Sequence, residues 1–145
     1  MSDVSEVHSA AARASSATKI YGKGDTLVTA LDCVDISFEA GKFSAIMGPS
    51  GSGKSTLMHC MAGLDNLSSG KVFIGDTDLT ELSEKELTLL RRSNIGFIFQ
   101  SFNLVPTLNA LENITLPIDL SGNKVDTDWV GQITEVVNLS DRLKH

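Results

Sequence analysis

The 145-residue sequence is 41% hydrophobic and 21% charged, enough apolar material for one domain with a real core, which excludes an intrinsically disordered chain. A formal net charge of −6 lacks the basic face that nucleic-acid recognition needs, so no nucleic-acid partner is expected. No apolar run reaches membrane-spanning length, and the two cysteines, Cys33 and Cys60, fit reduced cytosolic thiols better than a disulfide framework.

Residues 1–16 carry Asp3 and Glu6, lack the apolar stretch of a secretory signal and are rich in Ser and Ala. They are expected to form a disordered leader to a domain spanning residues 17–145. "ATKIYGKGDTLVTAL" reads as two short strands around a Gly-Lys-Gly-Asp turn. From Cys33 to Phe38, Val34, Ile36 and Phe38 alternate with Asp35 and Ser37, the pattern of a half-buried strand. Phe43–Met47 is almost continuously apolar and predicts a strand covered on both faces.

A glycine-rich loop follows, and then a helix with Leu57, Met61 and Leu64 on one face and Gly63 as its stop signal. "GKVFIGDTDLT" predicts a short strand leading into a turn, and Ser83 with Glu86 forms a capping box for a helix through about Arg92. "NIGFIFQ" predicts a second buried strand, ending at Gln100. Thr107 is a candidate cap for a helix carrying Leu108, Leu111 and Ile114, with Pro117 as its terminator. Trp129, Ile133 and Val137 define a last amphipathic helix.

The loop carries the chemistry. Gly48, Pro49, Ser50, Gly51, Ser52, Gly53, Lys54 and Ser55 match G-x-x-x-x-G-K-[ST] at every fixed position, and Thr56 follows. Glycines let backbone N–H groups converge on a polyphosphate, and the adjoining helix presents its positive end to the same anion. Lys54 supplies a full charge for the β- and γ-phosphates, and the Ser55 hydroxyl is a ligand for Mg²⁺. Taken alone, the loop does not separate ATPases, GTPases and small-molecule kinases.

Three stretches narrow that choice by resemblance. "GPSGSGKSTLMHCMAGLDNLSSGKVFIGD" resembles the Walker A region of ABC-transporter ATPases. "NIGFIFQSFNLVPTLNALENITLP" is similar to the Q-loop region of their MacB/LolD-type branch, and "IYGKGDTLVTALDCVDISFEAGKF" to its N-terminal strands. The resemblance implies an α/β P-loop nucleotide-binding domain of ABC type, in its N-terminal portion. Such a portion has an antiparallel β subdomain, an incomplete parallel core sheet and the start of a helical subdomain. It also implies ATP and Mg²⁺ as cofactors, with Tyr21 stacking on adenine and Gln100 reaching Mg²⁺ and the attacking water. Phe102, Leu104 and Val105 fall where the family receives its integral-membrane permease. A second ATP-binding subunit and a peripheral place on the inner face of the cell membrane complete the implied setting.

The same family carries a Leu-Ser-Gly-Gly-Gln signature, a Walker B carboxylate pair and a switch histidine. Here "NLSDRLKH" diverges after Leu139 and Ser140, no Asp-Glu dipeptide occurs, and His8, His59 and His145 do not match the switch. The sequence therefore reads as a fragment that binds nucleotide without turning it over. Two other classes compete: a P-loop small-molecule kinase, for which Arg91 and Arg92 are the only adjacent arginines, and a non-catalytic nucleotide-sensing module.

Overall fold

The computed structural model describes residues 10–144, which divide into two compact units, one up to Arg91 and one from Arg92 onward. In the first unit, β1 (Ala10–Tyr21) and β2 (Val28–Glu39) form a long antiparallel hairpin around the expected turn. β3 (Ser69–Ile74) pairs antiparallel with the other edge of β1, and β4 (Thr77–Asp78) continues the sheet in the order β2-β1-β3-β4.

Ala10–Ser16, expected to belong to a disordered leader, is thus the first half of the central strand; residues 1–9 of that leader lie outside the described residues. Alanine and serine are weak strand formers, but pairing on both edges and burial override that local preference. Ala14 and Ala17 sit at the centre of the core with Leu31 and Val72. The β1–β2 ladder is interrupted near Ser16 and Cys33, which both adopt a left-handed conformation at φ 47°. The side chains of Asp35 and Thr18 accept hydrogen bonds from the backbone N–H groups of Ser16 (2.8 Å) and Cys33 (3.1 Å).

α1 (Lys54–Met61) buries Leu57, Cys60 and Met61 against that sheet. Each of the larger apolar side chains contributes about 1.5–3 kcal/mol by leaving water. Leu64, the third member of the expected stripe, lies beyond the helix and is exposed. Ser83 and Glu86 make the expected reciprocal cap of α2 (Glu84–Asn94), with the Ser83 N–H donating to the Glu86 carboxylate at 2.8 Å. Leu87 of α2 reaches the same core.

Neither expected buried strand forms. Residues 43–47 and 95–99 are irregular, with Phe43 99% and Ile98 96% exposed. A strand is held by hydrogen bonds to a neighbour, and an apolar run cannot supply that neighbour itself. Every pairing among the described residues is antiparallel, so the expected parallel core sheet is absent from them.

The second unit contains α3 (Ala110–Ser121) and α4 (Thr127–Val136). Asn109, not Thr107, caps α3, because Glu112 lies three residues on and closes a capping box with it. Pro117 lies inside α3 rather than ending it; the helix runs on to Ser121 and stops at Gly122. The Asn109–Glu112 box and the Gly122 stop hold the two ends despite the N–H that Pro117 lacks. α4 buries Val130 and Thr134, whereas Trp129, Ile133 and Val137 of the expected stripe are exposed. Burial of Thr134 is tolerated because its hydroxyl donates to the Val130 carbonyl at 2.9 Å.

Candidate functional site

The loop between residue 48 and α1 is shaped by its backbone. Gly51 and Gly53 take φ values of 79° and 83°, which L side chains rarely adopt, and Gly53 is the N-cap of α1. A glycine cap has no side chain to satisfy the first N–H groups of the helix, and none does so here. Those donors, at the positive end of the helix, are free to take an anion. Lys54 folds back over the loop, donating to the carbonyls of Gly48 (3.0 Å) and Pro49 (2.6 Å) and to the Ser52 hydroxyl (3.3 Å). Its charge is therefore held against the loop backbone.

These residues fit a nucleotide's phosphates on structural grounds. A Cβ built on Gly48 would stand 3.0 Å from the Ser52 hydroxyl oxygen and 4.0 Å from the Lys54 side chain, so the missing side chain leaves room between the start of the loop and these two residues. Ser55, in the first turn of α1, is exposed, and its hydroxyl offers the hard oxygen that Mg²⁺ prefers. Ser50, Ser52 and Thr56 add hydroxyls along the same stretch.

Tyr21, at the end of β1, is 41% exposed and belongs to a three-residue cluster. Its hydroxyl donates to Asp65 at 2.6 Å, and Lys19 donates to the same carboxylate at 2.5 Å and to the Asn66 carbonyl. The Lys19 ammonium also lies over the Tyr21 ring, 4.8 Å from its centre. Lys19 and then Tyr21 hold the Asp65 carboxyl below the usual carboxylate range. The Asp65 hydrogen bond raises the Tyr21 phenol, with the Thr56 hydroxyl acting in the opposite direction. Sequence reasoning did not single out Lys19 or Asp65. Lys19 lies two residues before Tyr21, on the same face of a strand, but Asp65 is 44 residues away.

Gln100 belongs to the second unit and is exposed. Phe102, at 92% exposure, also lies in that unit, where Leu104, Val105, Leu108, Ile114 and Leu139 line an apolar groove of about 420 Å³. One wall is set by Asn113, another residue not singled out from the sequence. Its amide accepts from the Val105 N–H (2.8 Å) and donates to the carbonyls of Val105, Leu108 and Asn109. Arg91, one of the two adjacent arginines, donates to the Gly63 carbonyl just past the end of α1 and to Thr88 on its own helix. It is engaged in structure rather than held as a lid over phosphates.

The ABC transporter family model matches residues 31–145, which include the whole loop and Gln100. The chain belongs to the ABC transporter family. Among its relatives in that family, it is 44% identical over 127 residues to the macrolide export ATP-binding/permease protein MacB of Bdellovibrio bacteriovorus, covering 88% of this chain and 20% of MacB. It is 40% identical over 129 residues to the lipoprotein-releasing system ATP-binding protein LolD of Blochmanniella floridana, covering 86% of this chain and 55% of LolD. Among solved structures it is similar to the dimeric ATP-binding cassette MJ0796 bound to ADP and Pi, with a TM-score of 0.81 and 36% identity over 92% of this chain and 60% of that one. The fold is accordingly the α/β ABC cassette type, seen here in its antiparallel N-terminal portion. The chain spans about three fifths or less of each of these relatives.

Proposed function

We propose that this chain forms the nucleotide-binding portion of an ABC-transporter ATP-binding subunit, with Mg·ATP held by Gly48 to Thr56. The observation that carries this reading is the open cradle at Gly48, with Lys54 folded across it and the uncapped start of α1 behind it. Tyr21 takes the adenine ring, Lys54 the β- and γ-phosphates, and Ser55 the metal. Mg²⁺ supplies charge neutralisation of the phosphates when bound.

In the complete protein this reading makes the domain an ATPase that pairs with a second ATP-binding subunit and couples hydrolysis to an integral-membrane permease. Its place is the cytoplasmic face of the membrane, and its system is of the export or lipoprotein-handling type. The exposed Phe102 and the apolar groove of the second unit support a role in receiving the permease, because an apolar surface beside Gln100 in sequence suits a partner's helix. The 145 residues themselves bind nucleotide without turnover, since they hold no Walker B pair, signature motif or switch histidine. Phosphoryl transfer depends on such positioning groups, and groups of this kind are worth about 10³–10⁵ in rate.

The test is calorimetric titration with Mg·ATP beside a phosphate-release assay on the same purified chain. Binding without phosphate release above background is the expected result. Turnover by the 145 residues would favour a self-sufficient P-loop enzyme such as a kinase, and absence of binding would remove the phosphate-site assignment.

A further inference from the structure

We propose that Asp65 and Lys19 are positioning residues for the base of the bound nucleotide, locking the Tyr21 ring in place before the ligand arrives. The inference rests on the reading of Tyr21 as the residue that takes the adenine. It adds the element that fixes the ring.

A tyrosine at a strand end, 41% exposed, would ordinarily rotate about two side-chain torsions and lose that freedom on stacking. Here the ring is held from two directions. Its hydroxyl is tied to Asp65 at 2.6 Å, and the Lys19 ammonium sits over one face, 4.8 Å from the ring centre. Lys19 is itself fixed, because its ammonium donates to Asp65 and to the Asn66 carbonyl, both at 2.5 Å, and its side chain is only 12% exposed. Asp65 follows the end of α1 closely, and its backbone N–H donates to the His59 carbonyl within that helix at 3.3 Å. The anchor of the ring is thus attached to the helix whose first turn forms the phosphate cradle. Base site and phosphate site share one rigid element.

The cluster makes a prediction specific to the base. Removing the tie should weaken ligands that carry a base and spare ligands that carry phosphates alone. Calorimetric titrations of the 145-residue chain with Mg·ATP and with magnesium tripolyphosphate separate the two. Asp65→Ala should weaken ATP about threefold to tenfold, the range expected when one side chain must be immobilised on binding, and leave tripolyphosphate unchanged. In a Tyr21→Ala background, Asp65→Ala should cost nothing further for ATP, because the two act as one unit. Tyr21→Phe keeps the ring but cuts its tie to Asp65, so it should reproduce the ATP-specific loss even if Asp65→Ala fails to fold. Equal losses for both ligands, full additivity in the double variant, or an unchanged ATP affinity in Tyr21→Phe would each overturn the proposal. A wild-type chain that binds tripolyphosphate no more weakly than ATP would overturn it too, while leaving the phosphate cradle standing. A wild-type chain that binds neither would overturn the cradle and the proposal together.

Discussion

Gly53 stands so close to Ala30 that a Cβ on it would lie 2.3 Å from the Ala30 carbonyl oxygen. The glycine-rich loop therefore rests directly on the backbone of β2, at the point where α1 begins. Gly53→Ala combines that clash with an unfavourable φ of 83°, a strain on the order of 1–3 kcal/mol before any displacement is counted. The variant should melt several degrees lower and bind both ATP and tripolyphosphate more weakly. Thermal unfolding and titration on one preparation check this; an unchanged melting temperature with unchanged affinity would mean that the loop does not depend on β2.

Lys54→Ala should leave folding nearly intact, because the acceptors it abandons are all in exposed residues of the loop. Nucleotide binding should fall about tenfold or more, since hydrogen bonds to a charged partner are worth about 1.5–3 kcal/mol. Displacement of a fluorescent ATP analogue measures the loss, and full retention of affinity would remove the lysine from the phosphate site.

The hairpin, the loop-to-helix passage and the Ser83–Glu86 cap were legible in the sequence because each is written in neighbouring residues. Glycines, cap hydroxyls and alternation act over a few positions. What stayed hidden depends on distant partners. The Ala- and Ser-rich start of β1 becomes a strand only because β2 and β3 flank it, and nothing in its own residues announces them. The apolar runs at 43–47 and 95–99 misled in the opposite sense, since apolarity predicts burial but not a neighbour to pair with. Thr107 and Asn109 are both able to cap, and the glutamate three residues after Asn109 was the discriminating signal. The Tyr21–Asp65 tie spans 44 residues, beyond any local pattern.

Asp65 also makes stability depend on acidity. Its carboxyl is held below the usual range by Lys19 and Tyr21 in the folded chain, so the unfolded chain takes up a proton first. The stabilisation is complete above the ordinary aspartate value of about 3.9 and is lost as pH falls through the lower folded value. Asp65→Asn should therefore melt below wild type at pH 7, and the gap should narrow in acid. Melting curves taken from pH 7 downward test this, and a gap that stays constant or widens would contradict the assigned ion pair.

In the second unit, Asn113→Ala removes one acceptor and three donated hydrogen bonds from the segment between Val105 and Asn109. The Val105 N–H loses its partner, a cost of about 1–3 kcal/mol for a partly buried donor. Amide exchange at Val105 should accelerate about tenfold or more, whereas the Asn109–Glu112 cap of α3 should keep the helix. Equal exchange in both proteins would show that the groove is held by something other than this side chain.

Cys60 is buried in the core of the first unit and Cys33 lies exposed on β2. Burial also pushes the Cys60 thiol up, so an alkylating reagent can reach its reactive form only while the unit is open. Cys33 reacts from the closed state and supplies an internal reference in the same tube. The ratio of the two labelling rates is then a direct reading of how often the core breathes, obtained without added probes. Ligand at a hundred times its Kd should slow Cys60 by about a hundredfold and leave Cys33 unchanged, turning the thiol pair into a binding assay that needs no turnover.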